Sequence, residues 1–293
     1  MKKKTRDGLW FAAFTAPTLI IFCIVVIIPF LIGIYLSFFD WDGIPKNPKI
    51  YVGFENFIRA FQDKNFWSSA LVTLKYTITA VISINIVALF FSLLLTTKRK
   101  SNNLVRTMIF APNMIGGLIL GFAWKFIFND VFKYLGNATG WDSIFFNWLI
   151  NKNMSLYAIA VVSTWSLAGY IMVIYIAGIQ GISADVQEAA SIDGASYFQQ
   201  LRSITLPLLA PALTTTIFLT LSNSFKIYDV NLSLTNGGPG NVTKMLSIDI
   251  VQTIFSTSQY GYGQAKAIIF FVFVALITLT QVFFSKKKEE GIA

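Results

Sequence analysis

Six long apolar stretches, divided by shorter polar intervals, account for most of the chain. They run from about Leu9 to Phe39, Trp67 to Thr97, Arg106 to Phe128, Met154 to Ile179, Ile204 to Phe225 and Gly263 to Phe284. A helix needs roughly 20 apolar residues to cross a hydrocarbon core about 30 Å thick, and each stretch meets that length. None shows the period-two alternation of a half-buried strand. The pattern predicts an all-α integral membrane protein of about six transmembrane helices, with residues 1–293 forming a single membrane domain. The first stretch follows Lys2, Lys3 and Lys4 as a signal peptide would. It is too long for one, and no small-x-small cleavage site follows it.

The polar intervals alternate in character. One set carries Lys2, Lys3, Lys4, Arg6, Lys98, Arg99, Lys100, Arg106, Arg202, Lys286, Lys287 and Lys288. The other set is longer, richer in aromatic residues, Gly and Asn, and carries Lys46, Lys49, Arg59, Lys64, Lys133, Lys152 and Lys244. Short basic flanks stay on the cytoplasmic side, so the first set and both termini are expected in the cytoplasm of a prokaryotic cell. Trp10, Trp41, Trp67, Trp124, Trp141 and Trp148 fall at or near stretch ends, where an aromatic belt forms. Trp165 lies inside the fourth stretch.

Composition narrows the chemistry. The chain is 55% hydrophobic and only 13% charged, against about 25% charged in a soluble protein. Its net charge of +9 sits mainly beside the apolar stretches, which assigns it to membrane orientation and not to nucleic acid. There is no histidine and one cysteine, Cys23, so no metal-ligand cluster or intrachain disulfide is expected, and no cofactor is assigned to the chain. No acid lies near the middle of a stretch, as a proton-coupled transporter would usually require. No phosphate loop of the Gly-x-x-x-x-Gly-Lys-Ser/Thr type is present, so the chain is not expected to be an enzyme, and a pump built on it must borrow an ATPase.

The interval between the fourth and fifth stretches, residues 181–203, carries the sharpest signal. Ser183 is placed to cap a helix from about Ala184 to Ile192, with Asp185 in the first turn. Asp193-Gly194 breaks it, Gly194 being free to turn left-handed. A second short helix from about Ala195 to Arg202 leads back to the membrane. The series Glu188-Ala189-Ala190, Asp193-Gly194-Ala195, Ile204, Pro207 and Pro211 resembles the EAA motif of ABC importer permeases. Ser183 stands where Pro is frequent in that motif, and Leu201 where Phe is frequent. Ser37-Phe-Phe-Asp-Trp-Asp-Gly43, Val52-Gly-Phe-Glu-Asn-Phe57, Phe66-Trp67-Ser68 and Leu234-Thr-Asn-Gly-Gly-Pro-Gly240 resemble the carbohydrate-uptake, maltose-type branch.

The resemblance implies a type I ABC importer permease fold, translocating a sugar, an oligosaccharide by family type, with energy from separate subunits. It implies as partners a second permease, two cytoplasmic ATPase subunits that hold ATP and Mg, and an extracellular solute-binding protein. Glu188, Ala189, Ala190, Asp193, Gly194 and Ala195 would couple to the ATPase. The family's sugar-facing positions correspond to Asn113, Ser163, Ser166, Thr220 and Ser224, and helical spacing adds Asn223, which shares a face with Thr216, Thr220 and Ser224. Neutral hydroxyls and amides suit a sugar. The alternatives are a secondary transporter of a small polar solute and an ABC permease for a non-sugar substrate such as glycerol phosphate.

Overall fold

The computed structural model describes residues 3–97 and 101–290. Lys2, Lys98, Arg99 and Lys100, counted above for orientation, lie outside the described residues. Among the described residues, four helices are long and apolar enough to cross a membrane: Trp10–Leu36, Lys64–Leu95, Ser155–Gln180 and Tyr260–Lys287. Two bent pairs raise the number to six if each is one span: Asn102–Met114 with Gly117–Thr139, and Tyr197–Leu208 with Ala210–Phe225. In chain order these six segments are called the first to sixth spans.

The third and fifth spans are each broken near proline. In the third, a helix ends at Phe110 and a tight turn, Ala111–Met114, holds Pro112. Ile115 and Gly116 are extended before helix Gly117–Phe126 begins, and the chain bends by 100°. In the fifth, Pro207 and Pro211 bracket Leu209 and the bend is 67°. Proline removes a backbone donor and clashes with the preceding turn, which accounts for a break at each of these places.

Other boundaries shift where hydropathy and helicity part company. The third span's helix runs on to Thr139, past the apolar limit at Phe128, and stops where Gly140 turns left-handed at φ +72°. The interval 227–262, read as loop, contains helix Asp229–Leu234 and an apolar helix, Leu246–Ser256. The latter is too short to span a bilayer.

The chain divides into two compact units, Met1–Phe66 with Ile250–Val272, and Trp67–Asp249 with Phe273–Ala293. In the first unit, strands Phe39–Asp40 and Ile50–Tyr51 pair antiparallel beyond the first span. Helix Glu55–Gln62 is tied back by Asn56, a buried residue whose amide donates to the carbonyls of Ser37 and Phe39 at 2.9 and 3.0 Å. Asp63 accepts the Tyr262 hydroxyl at 2.8 Å and pairs with Lys266 at 2.9 Å. Lys266 is 3% exposed, so it is an internal ion-pair partner and does not snorkel to a membrane surface.

In the second unit the core runs along one face of the second span, through Tyr76, Ala80, Ile84 and Ala88, and onto the fourth span. Small residues let the backbones close in. A Cβ on Gly178 would lie 2.8 Å from that of Ala212, and one on Gly169 would overlap the backbone at Ile109 and Phe110. Helix Asp229–Leu234 packs on Gly117 and Gly121 in the same way. A Cβ on Gly117 would lie 2.8 Å from the Asp229 Cβ, and one on Gly121 would collide with the Ser233 hydroxyl. This is the small-xxx-small packing favoured between membrane helices.

Candidate functional site

At one end of the second unit, helix Ala184–Ile192 forms as the capping residues dictate. The Ser183 hydroxyl accepts the Asp185 N–H at 3.2 Å. After Asp193, Gly194 adopts φ +75° and no atom lies within 4 Å of the position a Cβ would occupy. The following helix starts at Tyr197, two residues later than expected, because Ser196 and Gln199 form a reciprocal cap. It also continues past Arg202, through a π-turn at Leu201–Thr205, to Leu208. Gln200 braces the corner by donating to the Ala195 carbonyl at 2.9 Å.

Glu188, Ala189, Asp193 and Gly194 are exposed, Ala195 is half-buried and Ala190 is buried. Glu188 lines an open groove of about 520 Å³ with Gln187, Ile192 and Gln200. Val186, Ile192, Tyr197 and Phe198 present large apolar surfaces around it, Ile192 at 86% exposure. A bare glycine corner, an acid and an apolar rim give a face that another protein's backbone can approach closely.

Between the second, fourth and fifth spans lies a cavity of about 150 Å³. Ser163, Ser166, Asn223 and Ser224 line it, with Tyr76 and apolar Ile84, Leu167, Ile227 and Val230. Four of the six residues expected along a substrate pathway thus meet in one place. Thr220 is elsewhere: it is fully buried, accepts the Asn85 amide at 3.0 Å and donates to the Thr216 carbonyl at 2.8 Å. Asn113 is half-buried at the break of the third span and is not part of the cavity lining.

Sequence reasoning missed the residues that hold this wall together. Tyr76 donates to Ser163 at 2.7 Å, and Ser83 shares a hydrogen bond of 2.7 Å with Thr164. Thr216 donates to the Tyr175 hydroxyl at 2.8 Å, which donates to Asn85 at 2.6 Å. Asn85 closes the circuit onto Thr220. The second span read as apolar with Lys75 near one end, and its isolated Tyr76, Ser83 and Asn85 were the available signal. Intramembrane polar groups are rare and need partners. Trp165, the tryptophan inside the fourth stretch, is 45% exposed and meets Trp124 edge-on at 5.6 Å.

These features define a class: a multi-span membrane protein with an uncharged cavity between three of its spans, bordered by serine, asparagine and tyrosine among apolar side chains, and an exposed small-residue corner at one end of those spans. The chain belongs to the binding-protein-dependent transport system inner membrane components, whose sequence pattern matches residues 84–290. It is 46% identical over 294 residues, 99% of each chain, to the probable starch degradation products transport system permease protein of Thermoanaerobacterium thermosulfurigenes. It is 29% identical over 282 residues, 95% of this chain and 94% of the other, to the trehalose/maltose transport system permease protein of Thermococcus litoralis. Its fold matches a chain of a bacterial ABC transporter involved in the import of the acidic polysaccharide alginate, with a TM-score of 0.82, 22% identity and 98% of each chain covered. The same transporter type in complex with an alginate pentasaccharide-bound periplasmic protein gives a TM-score of 0.77 at 22% identity, covering 97% of this chain and 94% of the other. The protein is an all-α ABC transporter permease of the type I importer fold.

Proposed function

We infer that this permease is one of two membrane subunits of an ATP-driven importer that moves a neutral oligosaccharide into the cytoplasm. The observation that carries the reading is the pairing of two sites in one unit: the docking corner at Gly194, and the cavity where Ser163, Ser166, Asn223 and Ser224 offer hydrogen bonds without charge. Sugars are recognised by such neutral donors and acceptors, and the relatives named for starch products and for trehalose and maltose support that substrate class. ATP and Mg would sit on two cytoplasmic ATPase subunits, gripping the corner through Glu188 and the apolar rim. ATPase closure would push the two permease corners together and rock the spans between outward-facing and inward-facing states. A solute-binding protein would deliver the sugar to the outer face, and both termini would lie in the cytoplasm.

The test begins with purification of the chain from its native membrane in mild detergent. A second permease and an ATPase should accompany it. Reconstituted in liposomes with the binding protein, the complex should take up labelled maltotriose only when ATP is supplied on the ATPase side. Recovery of the chain alone under conditions that preserve membrane complexes, with uptake driven by an ion gradient instead, would replace this reading with a secondary transporter.

A further inference from the structure

The second span carries one charge in the wrong surroundings. Leu71, Ile78 and Ile82 are 58%, 53% and 54% exposed and form a stripe along the helix, and the exposed Lys75 sits inside that stripe. It lies eight residues beyond Trp67, about 12 Å along the helix at 1.5 Å per residue. A lysine at that depth cannot face hydrocarbon cheaply and belongs to a water-filled cavity or to a charged partner. The structure supplies the cavity. Lys75 lines an open space of about 590 Å³ together with Lys152, Asn153, Tyr157 and Asn241.

The place of this cavity is informative. It is built from the beginning of the second span, the beginning of the fourth and residues 240–242. The far ends of the same two spans, at Thr96 and Ile179, line a space with Gln187 of the corner helix. The cavity therefore opens at the end of the unit opposite the ATPase-docking corner. The Lys152 Cε lies 3.8 Å from the position a Cβ on Gly240 would take, in ordinary contact with that turn. Among the described residues no carboxylate lies within ion-pair distance of Lys75 or Lys152, whereas nearby Lys244 is neutralised by Asp249 at 3.0 Å. Two lysines thus hold uncompensated charge in this cavity, on the face where a binding protein has to dock.

We propose that the Lys75–Lys152 cavity is the seat for a carboxylate-bearing loop of the solute-binding protein. The assignment rests on the importer reading above and adds to it the surface, the two residues and the charge of the partner. The neutral interior cavity argues that the lysines do not serve the substrate. Their charge instead complements an acidic protein surface, which gives attraction, orientation and a dependence on ionic strength.

The experiment measures ATPase activity of the reconstituted complex against concentration of the solute-binding protein encoded with it, loaded with maltotriose, at about 50 and about 300 mM salt. For the unmodified complex, half-maximal stimulation should need several-fold more binding protein at high salt. Lys152→Glu and Lys75→Gln should raise the half-maximal concentration about tenfold at low salt and flatten the salt dependence. Lys133→Glu makes the same charge change on an exposed lysine outside the cavity and serves as the control. An effect of Lys133→Glu as large as that of Lys152→Glu would reduce the cavity to bulk surface charge and overturn the proposal. So would an unchanged half-maximal concentration in both cavity variants. Dissociation of the second permease from the variants would give the lysines to the subunit interface, and altered preference between neutral and acidic sugars would give them to the substrate. Either outcome overturns the proposal. Absence of stimulation in the unmodified complex would fault the importer reading itself, a result distinct from all of these. Should Lys152→Glu fail to assemble, Lys152→Gln takes its place, with Lys133→Gln as its control, and the same outcomes decide.

Discussion

Ser224 and Thr220 stand one turn apart on the fifth span, yet their hydroxyls have different surroundings. Ser224 borders the open cavity, while Thr220 is enclosed in the circuit with Asn85, Tyr175 and Thr216. Ser224→Trp would fill a cavity of about 150 Å³. It is expected to lower sugar uptake at least tenfold with unchanged amounts of complex in the membrane, as read by uptake and immunoblot side by side. Normal uptake would remove Ser224 from the pathway. Thr220→Val should act on stability instead, because it leaves one N–H of the Asn85 amide without its acceptor while the other still donates to the Val81 carbonyl, a loss of about 1–3 kcal/mol. Helical spacing placed both residues on one face correctly. It did not tell an occupied hydroxyl from a free one, because that depends on Asn85, more than a hundred residues earlier in the chain.

Asp63 offers a residue-scale test with a pH signature. Burial raises its pKa, but hydrogen bonds from Lys266, Tyr262 and the Asn65 N–H, with the Lys266 charge, outweigh that and hold the carboxyl at about 2 against an ordinary 3.8. A depressed carboxylate stabilises the folded state fully above its unfolded pKa, and the contribution is lost as pH falls towards the folded value. Asp63→Asn should therefore lower the thermal midpoint of the purified protein near neutral pH, and the gap from the unmodified chain should close between pH 4 and pH 2. The cost should stay below the roughly 3–5 kcal/mol known for fully buried pairs, since the Asp63 side chain is 20% exposed. A gap independent of pH would show that the ion pair contributes nothing.

At the scale of elements, the corner helix was the most legible part of the chain. Ser183, the Ala184–Ile192 run and the Asp193-Gly194 break are local signals, and the backbone follows them. The bends of the third and fifth spans were less legible. Pro112, Pro207 and Pro211 marked their positions, but the angles of 100° and 67° depend on what the freed segments pack against. Gly194 allows its two roles to be separated. Its φ of +75° disfavours most side chains by about 1–2 kcal/mol but tolerates asparagine. Open space surrounds it, so nothing within the chain resists a side chain there. Gly194→Asn should preserve the fold and still weaken ATPase association and transport, because the added bulk meets the partner. If Gly194→Asn transports normally while Gly194→Val does not, only backbone strain is at work.

Gly121 makes the opposite prediction. Its Cβ position is already taken by Ser233. Gly121→Leu should push helix Asp229–Leu234 off the third span and lower thermal stability by several degrees, whatever its effect on transport. That contact joins residues far apart in sequence, and Gly117-x-x-x-Gly121 was its only trace in the chain.

For the molecule as a whole, the number of crossings decides whether the corner can meet an ATPase at all. The distribution of basic residues predicts a cytoplasmic Lys98–Lys100 interval. From there to the corner at Ala184–Ile192 the chain passes the bent third span and the straight fourth. If the bent pair crosses, two crossings return the corner to the cytoplasm. If it turns back as a re-entrant loop, one crossing leaves the corner outside, where no cytoplasmic ATPase could reach it. The coupling reading therefore requires that a helix pair bent by 100° still traverses the bilayer. In a background with Cys23→Ser, Ser191→Cys on the exposed corner helix should resist a membrane-impermeant maleimide in intact cells and react after permeabilisation. Ser143→Cys, exposed in the interval between the third and fourth spans, should react from outside. Labelling of Ser191→Cys in intact cells would place the corner on the wrong face, and the ATPase-coupled mechanism would fall with it.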